Sequence, residues 1–168
     1  MSTHRGWADG PTPLALSDLL ALVRAVAAEV AAGEHEYHVD PDRRWARLIH
    51  SDDHVDTWLI TWASEQRAEL HDHAGSLGAL SVVTGELTEW WWAKDGALRA
   101  RELQARAAAG FPLGHVHDVV NTAERPAVSV HVYSPPLAAM SYYEVDGAGV
   151  LRRTSTVLTR PAELEVPA

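Results

Sequence analysis

From about residue 45 onward the chain breaks into short runs of β-branched and aromatic residues separated by turn-forming residues. This rhythm limits the possible folds more than any other feature. The spacing predicts strands at residues 45–49, 55–63, 79–83, 86–93, 98–103, 116–120, 127–133 and 140–145, with a further short strand through His71 and His73. Asp52-Asp53-His54, Lys94-Asp95-Gly96 and Asp146-Gly147 mark turns. Residues 107–110, Ala-Ala-Ala-Gly, read as a connector. Strands of this length and punctuation belong to a β-sandwich or a small β-barrel, so a mainly β fold is expected. Trp90-Trp91-Trp92 must point to both faces of its sheet, one toward the core and the other toward a partner surface or a helix.

Ahead of the strands, residues 16–32 carry Leu19, Val23, Val26 and Val30 on one helical stripe. Ser17 is the expected N-cap and Gly33 the expected stop. The alanine-rich remainder suits close packing against another layer, and the helix reads as scaffold. Residues 1–13, with two glycines and two prolines, read as a loose leader. The 168 residues and 46% apolar content suffice for one domain, residues 1–168, with a real core. The formal charge of -9 comes without a basic cluster, which argues against nucleic acid and against an anionic membrane surface as partners. No cysteine is present, so disulfides, a thiolate nucleophile and thiolate metal ligands are excluded. That absence fits the reducing cytoplasm, which is the expected location. No signal-peptide pattern is visible, and no apolar run approaches the ~20 residues that a membrane helix needs.

The chemistry concentrates in two stretches. In Glu69-Leu70-His71-Asp72-His73 the two histidines lie two apart, so a strand aims both imidazoles at one spot. Two converging neutral imidazoles make a good pair of metal ligands, although such a pair alone reads more readily as two surface histidines. The second stretch is Pro112-Leu113-Gly114-His115-Val116-His117-Asp118-Val119-Val120-Asn121. Here His115 and His117 also share a face if the strand is regular. There is no Gly-x-Ser-x-Gly, no phosphate loop and no pair of catalytic carboxylates, which removes support for hydrolase and kinase chemistry.

Taken together, His71-x-His73, Gly85 and the pattern Pro112-x-Gly114-x-x-His117-x-x-x-Asn121 resemble the two-motif signature of the cupin superfamily. The resemblance implies a small jelly-roll β-barrel, spanning about residues 45–160, with the helix packed outside. It also implies a metal held by His71, His73 and His117; His115 is passed over because His117 alone occupies the motif position. Where common cupins carry a glutamate ligand, this chain has Leu77 and Gly78, and Glu65 stands where the first motif opens with glycine. The implied centre is therefore three neutral imidazoles without a carboxylate, a charge state that favours an anionic ligand and ionises a coordinated thiol.

Over roughly residues 40–145 the chain is most similar to the cysteine dioxygenase family of thiol dioxygenases. The similarity is carried by Arg47, His71-Asp72-His73, Gly85-Glu86-Leu87, His117-x-Val119-x-Asn121 and Pro126-Ala127-Val128-Ser129-Val130-His131-Val132-Tyr133-Ser134-Pro135-Pro136. In the last block Ser129, His131 and Tyr133 alternate with three valines. By itself this would be an edge strand with a wet face; in the family it is a hydrogen-bonded row beside the metal. The resemblance implies Fe(II) as cofactor and a monomer. L-cysteine would bind through thiolate and amine, Arg47 would pair with its carboxylate, and the Tyr133 hydroxyl would reach the substrate. Arg43 and Arg44 read as surface salt-bridge residues. In animal members a cysteine at the position of Gly78 becomes linked to the tyrosine; with no cysteine here, Tyr133 stays a free phenol. The expected reaction is oxidation of L-cysteine by O2 to cysteine sulfinic acid. Two alternatives stand beside it: a 3-mercaptopropionate dioxygenase, whose members carry glutamine in place of the arginine, and a non-catalytic cupin that holds a metal or a small ligand.

Overall fold

The computed structural model describes residues 13–159, and the expected leader lies almost wholly outside them. In chain order the elements are α1 (Leu16–Ala31), β1 (Trp45–Ser51), β2 (Asp56–Trp62), β3 (His71–Asp72), β4 (Leu77–Thr84), β5 (Glu86–Trp92), β6 (Leu98–Gln104), β7 (Ala108–Phe111), β8 (His117–Val120), β9 (Ala127–Ser134), β10 (Ala139–Val145) and β11 (Leu151–Leu158). The strands form two antiparallel sheets. One has the order β1-β2-β9-β4-β7, the other β11-β10-β3-β8-β5-β6. This is the β-sandwich of a small cupin barrel with one helix on its outside.

The stripe on α1 buries Leu19, Val23, Ala27 and Val30. These meet Leu59 of β2, Ala79 of β4 and Val128, Val130 and Val132 of β9. Each fully buried aliphatic side chain of this kind contributes about 1.5–3 kcal/mol of transfer free energy. Ser17 does not cap the helix. Ala15 is the N-cap and makes no side-chain cap bond, while the Asp18 and Leu19 N–H groups donate to its carbonyl. What fixes the start instead is the Leu14 N–H, which donates to the Ser134 hydroxyl at 2.8 Å and ties the chain to the end of β9.

A second apolar cluster fills the space between the sheets, built from Trp62, Leu80, Val82, Leu87, Leu103, Phe111 and Val119. β9 runs through the middle of the first sheet, and all eight of its residues are buried. Its valines face α1 and its polar residues face the barrel interior, so the polar row is not the wet face of an edge strand. Gly85 closes the turn between β4 and β5 at φ 76°, a conformation L side chains rarely adopt. A Cβ there would also lie 2.8 Å from the Pro126 carbonyl oxygen.

Three details depart from the strand rhythm. The stretch read as a connector is β7, which pairs with β4 and whose Gly110 leaves room for Leu16 of α1. β3 is only two residues long, bracketed by positive φ at Glu69 (67°) and Ala74 (50°). β11 is an additional edge strand on β10, nearly all exposed, and Arg152-Arg153-Thr154-Ser155-Thr156 gives it no apolar alternation to reveal it. The tryptophan run divides between the two faces of its sheet. Trp90 is 40% exposed, while Trp91 shares the face of Leu87 and Glu89. No described helix is long and apolar enough to cross a membrane.

Candidate metal centre

β3 and β8 pair so that His71 stands directly opposite His117, and His73 follows one residue past the end of β3. The three rings converge in the barrel interior, with His71 and His73 each 4% exposed and His117 1%. Their facing nitrogens all lie within 4.8 Å of one another. The Nε2 atoms of His71 and His73 are 3.1 Å apart.

Each outer hydrogen bond selects a tautomer. His71 Nδ1–H donates to the Glu69 carbonyl at 2.7 Å, leaving the Nε2 lone pair inward. Glu69 itself has a positive φ of 67°. His117 Nδ1–H donates to Glu89 Oε1 at 2.9 Å, and its Nε2 is buried with no hydrogen-bond partner. Burial lowers the pKa of all three rings, to about 3 for His71, where the neighbouring His117 adds to the effect and the Glu69 bond opposes it. The rings are therefore neutral at neutral pH.

An orphaned inward nitrogen beside two others fits a metal ion. Metal–nitrogen bonds of about 2.1 Å bring ligand atoms to about 3 Å from one another, the spacing His71 and His73 already have. Three imidazoles suit iron, nickel, zinc or copper.

Beside the histidines lies a cavity of about 290 Å³, lined by Arg44, Trp58, Ile60, His131, Tyr133 and Met140 among others. The polar row of β9 is hydrogen-bonded along its length. Trp62 Nε1–H donates to Ser129 Oγ at 2.8 Å, Ser129 Oγ lies 2.9 Å from His131 Nε2, and His131 Nδ1 lies 3.4 Å from the Tyr133 oxygen. Tryptophan can only donate, so Ser129 accepts there, and its own proton is available for His131 Nε2. Burial holds His131 neutral, and when Ser129 donates to its Nε2 the single ring proton sits on Nδ1 and faces the Tyr133 oxygen. The Tyr133 hydroxyl proton is then free to point away from the row. Burial also raises the Tyr133 pKa, against the nearby Arg44 charge, so the phenol stays protonated.

Arg47 is not at this site. On β1 it shares the phase of Trp45 and Ile49, which pack toward the helix-side core, and its guanidinium is exposed and sits 5.9 Å from the Trp45 ring centroid. The cavity side of this segment belongs to Arg44 and Ala46. Arg44 is the arginine that turns inward. Its guanidinium stacks 4.8 Å from the Trp62 ring centroid, and its Nη1 is buried without a partner. The reading of Arg44 as a surface salt-bridge residue is corrected with it. The available signal was parity, since Trp45 and Ile49 mark the core-facing phase of the strand and Arg47 shares it.

Sequence reasoning also missed Glu89. It lies on β5 in phase with buried Leu87, is wholly buried, and accepts hydrogen bonds from His117, His115 and Arg101. Burial disfavours its charge, but the two histidine bonds and the Arg101 charge outweigh that and hold the carboxyl well below its usual range. An acid in phase with apolar positions was the signal. His115 precedes β8, shares Glu89 Oε1 with His117 and packs its ring 4.9 Å from the His117 ring centroid. Gly78 faces Tyr133 across β4 and β9, and a Cβ there would come within 3.0 Å of the Tyr133 ring.

Solved structures share this architecture. The TT1209 protein of Thermus thermophilus superposes with a TM-score of 0.54 at 21% identity, over 60% of this chain and 90% of that one. A Klebsiella pneumoniae protein with a double-stranded β-helix domain gives 0.52 at 13% identity, over 84% and 96%. A sugar phosphate isomerase of the cupin superfamily from Silicibacter pomeroyi gives 0.51 at 18% identity, over 67% and 78%. These likenesses are of fold. The sequence itself matches the family described as cysteine dioxygenase type I over residues 17–146, more than half of its length. With a cupin barrel, three inward histidines and that match, the chain belongs to the cysteine dioxygenase type I family.

Proposed function

We propose that the protein is an iron-dependent thiol dioxygenase whose substrate is L-cysteine. The observation that carries this reading is the inward guanidinium of Arg44, which has a buried, free Nη1 and lines the same cavity as His71 and His117. A buried guanidinium needs an anionic partner, and its planar fork matches a carboxylate. A substrate with a thiol at one end and a carboxylate at the other meets both demands.

His71, His73 and His117 would hold Fe(II), which when bound supplies the redox chemistry by which both atoms of O2 pass to the thiol sulfur. The remaining work belongs to the chain. Arg44 binds the carboxylate and is itself held flat by Trp62. Tyr133, oriented from behind by His131 and Ser129, directs its hydroxyl proton toward the bound substrate. Ile60, Val119, Leu137 and Met140 supply apolar wall and exclude water.

One observation keeps 3-mercaptopropionate as a second reading. Among the described residues no acidic side chain lines the cavity, so none of them would hold the ammonium of cysteine as an ion. The amine of cysteine would have to enter neutral, a demand that 3-mercaptopropionate does not make. Oxygen uptake by the iron-loaded protein, with L-cysteine, 3-mercaptopropionate and cysteamine in parallel and the products identified, tests both. Cysteine is expected to turn over most efficiently and cysteamine least. A preference for 3-mercaptopropionate would transfer the assignment to the second reading. Uptake with none of the three thiols would leave a metal-binding cupin without this activity.

A further inference from the structure

Behind His117, on the side away from the cavity, Glu89 occupies a position that a β-sandwich ordinarily fills with an apolar side chain. It lies between Leu87 and Trp91 in the inward phase of β5 and is 0% exposed. Its contacts are specific. Oε1 accepts from His117 Nδ1 and from His115 Nε2, each at 2.9 Å. Oε2 accepts from Arg101 Nε at 2.6 Å. Arg101 is the direct cross-strand partner of Glu89 on β6, and its guanidinium sits 5.4 Å from the Trp91 ring centroid. Filling space needs none of these bonds, and a leucine would do it without burying a charge.

Glu89, His115 and His117 also stand close enough together to hold an ion of their own. Arg101 argues against that use, because it already places a cation on the carboxylate. The one group that joins Glu89 to the proposed chemistry is the His117 ring. Its Nδ1 faces the carboxylate and its opposite nitrogen is the orphaned inward Nε2.

We propose that Glu89 is a positioning residue of the metal centre. It holds His117 as the Nδ1–H tautomer with Nε2 inward and places a negative charge one hydrogen bond behind that ring; Arg101 and His115 hold the carboxylate in place. The inference rests on the reading of His71, His73 and His117 as metal ligands. It also accounts for the carboxylate that the cupin pattern lacks at Leu77 and Gly78: the negative charge is supplied from β5, one hydrogen bond behind the ligand shell. His71, by contrast, leans on a neutral backbone carbonyl.

The test is metal binding by the full chain, in the absence of thiol and with Co(II) as the probe. Affinity is measured by competition with a chelator, the visible Co(II) absorption is recorded, and thermal unfolding of the metal-free protein is followed beside them. Glu89→Gln keeps the shape and an acceptor oxygen but removes the charge, so Co(II) affinity should fall about 10–100-fold and the absorption bands should shift. Leu87→Ala, one inward position away, should lower the unfolding midpoint and move neither affinity nor bands. If Glu89→Gln does not fold, Arg101→Gln releases the carboxylate from the outside and should show the same shift of bands with a smaller loss of affinity. Unchanged affinity and bands in the folded Glu89→Gln protein, or in Arg101→Gln where it has to serve, would overturn the proposal, as would a loss confined to thermal stability. No thiol oxidation by the wild type would sink the proposed function and leave this inference standing. Full Co(II) affinity in His117→Ala would remove the ligand on which it depends.

Discussion

The five-stranded sheet has two faces made by the same strands, and they follow different rules. Toward α1 it presents Leu59, Val128, Val130 and Val132, packed on Leu19, Val23 and Val30. Toward the barrel interior it presents Trp58, Trp62, Ser129, His131 and Tyr133. The first face is held by area removed from water, which is non-directional, so other apolar residues of similar volume would serve there. The second is also buried, but with polar groups, and burial of polar groups is stable only when each is bonded. Along the run from Trp62 through Ser129 and His131 to Tyr133 each group is bonded and one hydroxyl proton is left to spare, while Trp58 Nε1 on the same face is buried without a partner. Arg47 and Arg44 are separated by the same division. Arg47 lies in the helix-side phase of β1 and ends in solvent; Arg44 lies in the other phase and ends in the cavity.

If the two faces are separable, removing a ligand on the interior side should abolish metal retention without unfolding the protein. His71→Ala, His73→Ala and His117→Ala should each lose bound metal, and thiol-dependent oxygen uptake with it, while far-UV circular dichroism stays that of the wild type. Retained metal in any of the three would remove that histidine from the ligand set. The converse experiment is Leu59→Ala on the helix face. It should cost about 2–5 kcal/mol in denaturant unfolding, with the metal-to-protein ratio of the folded protein unchanged. A loss of metal in that variant would show the faces to be coupled.

Smaller effects sharpen the contrast within the cavity. Arg44→Ala removes the charged partner of the substrate carboxylate and should raise KM for L-cysteine about 10–100-fold, since a hydrogen bond to a charged group is worth about 1.5–3 kcal/mol. Iron content should not change. Tyr133→Phe should leave fold and metal intact and slow turnover roughly tenfold or more, the value of one hydrogen bond realised in the transition state. Unchanged turnover would make Tyr133 a packing residue. The smallest effect belongs to Arg47→Ala. As an exposed side chain resting on Trp45, Arg47 should cost less than about 0.5 kcal/mol when removed and leave KM and kcat within about twofold of the wild type. A large rise in KM there, with none for Arg44→Ala, would reverse the assignment of the two arginines.

Much of this molecule follows from local periodicity. The spacing of Leu19, Val23 and Val30 makes a helix with one buried stripe whatever it packs on. His71 and His73, and Ser129, His131 and Tyr133, share faces because successive strand residues alternate. The fixed pattern around Pro112, Gly114, His117 and Asn121 was legible in the same way, and with His71-x-His73 it pointed to the barrel. Periodicity states which residues share a face; it does not state what that face meets. Whether Arg44 or Arg47 enters the cavity depends on which side of β1 the helix covers. β7 and β11 depend on pairing partners distant in sequence, β4 and β10, which supply the ladder that their own compositions do not announce. Glu89 could be seen in sequence as an acid among inward apolar positions. Only the pairing of β5 with both β6 and β8 brings Arg101 and His117 to its two oxygens, and a buried carboxylate is stable only where both arrive.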